Sequence, residues 1–482
     1  MYVSRVRVEN IKSFHGPRVV DLTLTRPDGS HAGWTVLAGR NGAGKTTLLR
    51  AVALALSGPA AARSLVPDFD NWVTRGTSAG RAEVEIARDP DVDRFTYGRP
   101  PNAGFTAGLR WRAPQDGAAD TRFSHHSRRG SQPSLEEIRY TDAQSSAARR
   151  GPWADNPVGW FCAGYGPFRR MAGGSGDVQR LMLASGPVAR QASLFHEDAS
   201  LAEGVTWLIE QHLRALEGRP GAAALKAAAL AILKDGLLPD GYEVDDVDSE
   251  GLWVRRDGHR FPLREMSDGF RTVAALVVDI LKQIYDAFDA LALGGIDDDV
   301  FGDLTVETID DETVVNKIPG IVIIDEIDAH LHVSWQRRIG PWLTTHFPNV
   351  QFIVTTHSPY ICQAADPGGL IRLPGVREDA APEVVSKDLY ERVVYGSGDD
   401  AVLSDLFGLD TPYSERAEHV RAEFVALESQ VYEGDTSPGT VARYKSLKDL
   451  LTSSPAARVH EMSAQLHRIA EEIGDGEGGE AE

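Results

Sequence analysis

The sequence predicts an α/β fold: a mixed, mainly parallel sheet core, an antiparallel β lobe and a helical C-terminal region. Three observations carry that expectation. A glycine-rich run, Gly39-Arg40-Asn41-Gly42-Ala43-Gly44-Lys45-Thr46-Thr47, stands between a short apolar strand and a helical stretch. A continuous apolar run at 321–324, suited to a parallel strand buried on both faces, ends in Asp325-Glu326. A second apolar run at 352–356 comes one helical segment later and ends at His357. With 482 residues and 42% hydrophobic side chains, the chain can fill a sizeable core and hold two or three domains.

Along the chain, residues 3–8 and 19–24 alternate apolar and polar side chains and read as half-buried strands. Residues 34–38 form the strand before the glycine loop and 45–56 the helix after it, with further strands at 82–87 and 108–112. Residues 113–157, rich in Ser, Arg, Gly, Pro and Asp, read as a loop-rich insertion. Strand character returns at 159–163 and leads into Tyr165-Gly166-Pro167-Phe168-Arg169-Arg170. A helical insertion at 197–235 holds helices near 199–216 and 221–234. A short strand pair precedes Met266-Ser267-Asp268-Gly269-Phe270-Arg271, which opens an apolar helix over 269–292.

Residues 293–316, with Asp297-Asp298-Asp299 and Asp310-Asp311-Glu312, read as a solvated acidic loop. A helix over 333–346 and a strand over 350–355 come after the 321–324 strand. From 387 to 473 the pattern is helical, broken at Ser437-Pro438-Gly439 and near Pro455, and the Gly/Glu-rich 474–482 reads as a disordered tail. The organisation expected is a head over 1–375, a mainly helical region over 376–473 and the tail.

Composition narrows the class. The net charge of −20 speaks for solubility and against a surface devoted to nucleic acid. Residues 121–190 depart from it, with ten arginines against five acids. That segment either supports salt-sensitive DNA binding or is a solvated surface. Cys162 and Cys362 stand far apart and fit no metal or disulfide spacing, which points to a reducing, cytoplasmic setting. No signal peptide is read at the start. The most apolar stretch, 222–233, contains Lys226 and is too short for a bilayer, so no membrane is expected.

The chemistry starts at the glycine loop, a complete G-x-x-x-x-G-K-T pattern. Its glycines let successive backbone N–H groups converge on phosphate oxygens at a helix N-terminus, which assigns Gly39, Asn41, Gly42, Ala43, Gly44, Lys45, Thr46 and Thr47 to nucleotide binding. Lys45 would neutralise the β and γ phosphates of ATP, and the Thr46 hydroxyl would ligand Mg²⁺. Asp325 would hold Mg²⁺ through water and Glu326 would orient the attacking water, although two acids after a strand also suit a helix N-cap. His357 would sense the γ-phosphate or simply cap its strand. The Ser267-x-Gly269 helix start is, alone, an ordinary N-cap.

Together, in this order, the four segments resemble the ABC-type ATPase heads of the SMC and recombination-repair ATPases and of the OLD-like family, over about the first 375 residues. The resemblance implies a P-loop NTPase fold with an ABC-type head. It implies that Ser267 and Gly269 reach the γ-phosphate held by an opposing subunit, giving a head-to-tail homodimer or a higher oligomer. The run Glu326-Ile327-Asp328-Ala329-His330-Leu331-His332 is similar to the E-x-D/E-x-H-L-H extension of OLD-like and related defence ATPases, which puts Asp328 in the loop crossing the dimer interface. His330 and His332 are then structural or interface residues, or a metal pair. The Tyr165–Arg170 segment occupies the place of the glutamine loop of transporter heads, but the nearest glutamine is Gln179. Arg169 and Arg170 would contact nucleotide or DNA, or be solvated. Lys12, Ser13 and Phe14 are candidates for the adenine contact, Phe14 being equally suited to the core.

Lys45 and Ser267 stand 222 positions apart, too few for the coiled-coil arm of an SMC-type repair ATPase. No D-x-D motif stands behind an apolar strand after residue 375, and Asp399-Asp400 reads as a helix N-cap, so the nuclease domain of OLD proteins is not expected. The chain resembles the stand-alone ATPases of bacterial antiphage systems, the Septu-type ATPase paired with an HNH nuclease among them. The segment Leu403-Ser404-Asp405-Leu406-Phe407-Gly408 is similar to that group's C-terminal region. The resemblance implies an ATPase, converting ATP and water to ADP and phosphate, whose nucleotide state controls a separately encoded effector. The alternatives are a DNA-repair or chromosome-associated ATPase acting on DNA, and a nucleotide-binding scaffold with negligible turnover. The C-terminal helices either dock the effector or pack on the chain's own head.

Overall fold

Side-chain alternation sets the layers of this molecule. In the 320–324 strand, Val322 and Ile324 point into one hydrophobic core and Ile321 and Ile323 into another; one strand over, Phe352 and Val354 join the first and Ile353 the second. The computed structural model describes residues 1–451 except 32, 102–103, 115–131, 141, 156, 170–175, 184–185, 294–306 and 310–312. The chain divides into two compact units, Met1–Leu409 and Asp410–Glu482.

The described strands are β1 (Tyr2–Glu9), β2 (Val20–Thr23), β3 (Trp34–Ala38), β4 (Ala79–Ala87), β5 (Phe105–Arg112), β6 (Ser134–Glu137), β7 (Cys162–Tyr165) and β8 (Glu243–Asp248). They continue as β9 (Gly251–Arg256), β10 (His259–Pro262), β11 (Glu307–Ile309), β12 (Thr313–Val315), β13 (Gly320–Ile324), β14 (Val350–Thr356), β15 (Leu370–Arg372) and β16 (Glu383–Val384). The central sheet runs β16-β15-β3-β14-β13-β7. Its strands are parallel except β16, which pairs antiparallel to β15. An antiparallel sheet, β2-β1-β4-β5-β6, forms the lobe, and β8, β9 and β10 make a separate meander. This is the expected α/β architecture, a mixed, mainly parallel sheet core with an antiparallel lobe.

The two sheets are stitched by a buried amide. At the irregularity between Val3 and Arg5 in β1, Gln351 of β14 accepts from the Val3 N–H at 2.8 Å and donates to the Val3 carbonyl at 3.0 Å. The phosphate-loop helix, Lys45–Leu65, covers the face of the central sheet shared with the lobe; the signature helix, Asp268–Leu293, covers the other. Motif-bearing loops therefore leave the C-terminal ends of β3, β7, β13 and β14 side by side, the edge at which open parallel sheets present ligand sites.

Several expectations change. The helix after the glycine loop continues past Leu56, but Gly58 takes φ +83° ahead of Pro59 and kinks it. The 113–157 stretch is not all loop: β6 pairs with β5, and Asp142–Arg150 is helical. The expected 333–346 helix is two, Val333–Gln336 and Ile339–His346, because Pro341 has no N–H for the Arg337 carbonyl and its ring crowds that carbonyl. The strand pair before the signature is three strands. β15 and β16 are not legible in the sequence because two- and three-residue strands have no periodicity to read. Asp399-Asp400 is not the N-cap: Ser397 caps Gly398–Val402 and forms a capping box with Asp400. Asp297 to Asp299, Asp310 to Glu312 and everything after Leu451 lie outside the described residues.

In the second unit, Glu415–Tyr432 and Pro438–Leu451 form a helical hairpin. Arg443 makes a two-pronged contact with Glu423 at 2.7 and 2.8 Å, and Phe424 stacks on Tyr444 at 5.2 Å. The break expected at Pro438 is the first residue of the second helix, where proline's missing N–H costs nothing.

The signature helix carries a buried carboxyl, Asp279, 2% exposed, which accepts from the Tyr165 hydroxyl of β7 at 2.9 Å. Burial raises its pKa above the ordinary aspartate value, with Asp286 adding to the rise and Lys282, Tyr165 and Gln283 opposing it. The unfolded chain gives up this proton at the ordinary value while the folded chain keeps it longer, so the contribution to stability falls as pH rises between the two. Asp279→Asn keeps an acceptor without the charge. Its stability relative to the wild type should rise as pH climbs above the ordinary aspartate value in urea unfolding, and a gap that narrows with pH would contradict this account.

Candidate active site

The glycine loop closes between β3, buried along its whole length, and the phosphate-loop helix. Gly44 sits at φ +100°, and a Cβ there would stand 2.7 Å from Cζ of Phe14, so conformation and space both require glycine. Lys45 is 6% exposed and its Nζ donates to the Gly39 carbonyl at 2.8 Å and the Arg40 carbonyl at 3.2 Å. Burial lowers its pKa, and Asp325, Glu326 and Asp328 pull the other way. Behind the loop, Arg18 donates to the carbonyls of Ala43, Pro374, Gly375 and Glu378. Arg40, the loop's second residue, donates to the carbonyls of Phe407 and Gly408.

Asp325 ends β13 and is 1% exposed. Thr355 of β14 joins it to its neighbour: the Thr355 hydroxyl donates to Asp325 Oδ1 at 2.5 Å and accepts the Glu326 N–H at 2.7 Å. Glu326 turns the chain with φ +46°, a left-handed conformation uncommon for a side chain without local hydrogen bonding. Beyond it, Asp328 Oδ1 accepts from the Thr356 hydroxyl at 2.5 Å and the His357 N–H at 3.3 Å, which holds the Asp328 loop against the end of β14. Partial burial and the Lys45 ammonium hold the His357 pKa below the ordinary histidine value, against the pull of Asp328, Glu326 and Asp325.

Thr46, Asp325 and Glu326 line one cavity of about 240 Å³, with Pro167 and Phe168 from the loop after β7. A hydroxyl and a buried carboxylate facing one small cavity are the hard oxygen donors that Mg²⁺ takes, so the residues present fit that ion. Lys45, Asp325, Glu326, Asp328 and His357 interact electrostatically around the same edge. Asn41 and Gly42 are exposed on the loop, Ala43 is buried beneath it, and Thr47 is half-buried on the helix behind it. Ser267 is exposed and Gly269 half-buried, and neither lines the cavity. A Cβ on Gly269 would stand 2.7 Å from the His330 carbonyl oxygen, so the signature packs on the Asp328–His332 loop of its own chain.

Arg169 overturns both of its expected roles. It is 2% exposed, neither solvated nor open to nucleotide or DNA. Its guanidinium donates to the carbonyls of Gly166 (3.0 Å), Asp325 (2.9 Å), Glu326 (3.0 Å) and Ile327 (3.2 Å). A buried cation four residues after a strand carries no sequence signal that separates it from a surface one. Arg170 lies outside the described residues. Phe14 is core, fully buried against Gly44, so it offers no face to a base; Lys12 lies 5.3 Å over Trp72. His332 caps the short Val333–Gln336 helix, its Nδ1 accepting from the Ser334 N–H at 3.3 Å. Among the described residues no group of three or more His, Cys, Asp or Glu side chains is placed to hold a metal ion.

The basic stretch is mixed, with Arg139 and Arg180 exposed. Arg150, Arg169 and Arg190 are buried, and Arg149 pairs with Glu137 at 2.7 Å. Arg122, Arg128, Arg129 and Arg170 lie outside the described residues. No helix among the described residues is long and apolar enough to cross a membrane.

Comparison with known proteins bears out the resemblance read from the motifs. Residues 209–363 match the family described as "AAA domain, putative AbiEii toxin, Type IV TA system", and residues 5–108 match an AAA domain family. The chain is 24% identical over 364 residues to Septu protein PtuA of Bacillus mycoides, covering 74% of this chain and 38% of that protein. It is 32% identical over 158 residues to Septu protein PtuA of Bacillus thuringiensis, covering 33% of this chain and 39% of that one. With the Retron Ec83 probable ATPase of Escherichia coli it shares 36% identity over 136 residues, 28% of this chain and 21% of the relative. The chain thus spans well under half the length of these curated relatives. Among solved structures, the SMC head domain from Thermotoga maritima aligns with 80% of this chain and all of its own at 14% identity and TM-score 0.39.

The Arg169 contacts carry their own test. Arg169→Ala strands several buried carbonyls and should cost at least about 3 kcal/mol in urea unfolding. Arg169→Lys should recover less than half, since one ammonium cannot reproduce a planar fork. Full recovery by lysine would show that charge alone matters there.

Proposed function

We propose that this chain is an ATP-hydrolysing switch: a head-to-tail homodimer whose nucleotide state controls a separately encoded effector, a nuclease of the HNH type, in antiphage defence. The observation that carries the reading is the shared cavity of Thr46, Asp325 and Glu326 beside a complete phosphate loop. Lys45 and the loop N–H groups receive the phosphates; Mg²⁺, held by Thr46 and Asp325, would supply charge neutralisation when bound. Glu326 accepts a proton from, or orients, the attacking water. His357, kept neutral by its lowered pKa, offers the γ-phosphate an imidazole hydrogen bond.

Dimerisation is supported by where the signature stands. Ser267 is exposed and neither it nor Gly269 lines the cavity of Thr46 and Asp325, an arrangement that suits a signature offered to a second copy. The defence role and the effector are supported by the similarity to the Septu and retron proteins, and DNA as a ligand draws no support from arginines that are buried or paired.

Two substitutions test the reading. Glu326→Gln should leave ATP binding intact, reduce phosphate release by roughly 100-fold or more and accumulate a dimer with ATP in size-exclusion chromatography; unchanged turnover would remove Glu326 from the chemistry. Lys45→Ala should abolish ATP binding in equilibrium titration, and wild-type affinity would count against the phosphate-loop assignment.

A further inference from the structure

One wall of the cavity holds residues that no motif announced. It is the end of the Pro187–Phe195 helix and the residues just after it, which contribute Ser193, His196 and Glu197. The wall is pinned from two sides. Arg50 lies one helical turn beyond Thr46; its Nε donates to the Leu194 carbonyl at 3.2 Å and its guanidinium covers the Phe195 ring at 5.7 Å. From the loop after β7, the Gly166 N–H donates to the Ser193 carbonyl at 3.2 Å. The helix that carries Thr46 and the loop after β7 therefore fix where this wall stands.

Two polar atoms of the wall have no partner. Ser193 is 7% exposed, and its hydroxyl and Nε2 of His196 are buried atoms without a hydrogen bond among the described residues. Most buried polar groups are paired, so two orphans on residues of one cavity wall mark a place where something else supplies the bonds. Burial keeps the His196 pKa below the ordinary histidine value, with Asp198 opposing and Arg50 reinforcing the shift, so the ring is neutral at physiological pH. A bound water needs two to four polar partners. The cavity offers a serine hydroxyl, a neutral imidazole nitrogen and the Glu326 carboxylate.

We infer that Ser193 and His196 hold the attacking water against Glu326, as positioning residues for hydrolysis. The inference rests on the ATPase reading above. The hydroxyl donates to the water oxygen and the neutral Nε2 accepts one water O–H, which leaves a lone pair free for attack while Glu326 takes the other proton, and neither side chain changes charge.

The test is a comparison of His196→Phe, His196→Gln and Ser193→Ala in the full chain, measuring phosphate release and, separately, ATP affinity by titration. His196→Phe and Ser193→Ala should each lower kcat by roughly 10- to 100-fold with ATP affinity within about threefold of wild type. His196→Gln, whose amide reaches where Nε2 stood, should restore most of kcat. Ser193→Ala removes one oxygen only and keeps the test open where a ring change disturbs packing. A kcat within about twofold of wild type in both His196→Phe and Ser193→Ala, or a glutamine no better than phenylalanine, overturns the inference while leaving the ATPase reading standing. A wild-type chain that binds no ATP, or whose turnover survives Glu326→Gln, overturns that reading and this inference with it.

Discussion

The Arg169 guanidinium sits beneath the turn after β13 and binds its carbonyls from inside. Those carbonyls converge because Glu326 takes a left-handed conformation, which for a side chain without local hydrogen bonding costs on the order of 1 kcal/mol. Such a turn persists when its surroundings over-determine it, and here they do. The guanidinium takes up the carbonyl side, and the Thr355 hydroxyl takes up the Glu326 N–H and Asp325 Oδ1. Burial pushes the Arg169 pKa down to about 10, partly restored by Asp328, Asp325 and Glu326, so the charge survives at neutral pH. The directions in which two neighbouring carboxylates leave the backbone are thus fixed by one cation that touches neither.

The same arginine reaches the signature helix. Its own carbonyl accepts from the Thr272 hydroxyl at 3.4 Å, and in the layer behind, Asp279 holds Tyr165 at the end of β7. On the outer side Gly269 packs on the His330 carbonyl. The signature helix and the carboxylate turn are therefore one packed assembly within a chain.

Local chemistry is what a sequence makes legible. The glycine loop, the two buried strands and the helix after Ser267 announce themselves because backbone geometry and double-sided burial restrict which residues can stand there. In sequence, Thr355 and Thr356 mark only the end of a strand; that their hydroxyls bind Asp325 and Asp328 depends on the parallel register of β13 with β14. Arg18 and Arg169 are hidden for the same reason, since their partners are backbone carbonyls that have no identity in a sequence. Ser193 and His196 come to the cavity through Arg50 and Gly166, two contacts between segments that are not neighbours in sequence. Short elements are lost differently: β15, β16 and the split at Pro341 are too brief to show a period.

Charge sets the remaining constraint. Lys45 rests on two neutral carbonyls, and an arriving phosphate exchanges these for anionic oxygens, whose hydrogen bonds are about twice as strong. Three carboxylates, Asp325, Glu326 and Asp328, act on the same ammonium and would repel the same phosphate. Arg169 cannot offset them toward the cavity, since its donors face the carbonyls of the turn. Glycine-loop N–H groups contribute partial charges only. A nucleotide therefore meets an edge where three carboxylates stand beside Lys45 and Arg50, and a divalent cation held by Thr46 and Asp325 would offset those acids. Cation dependence would in this sense follow from the charge arrangement around β13 and β14 as much as from any particular ligand.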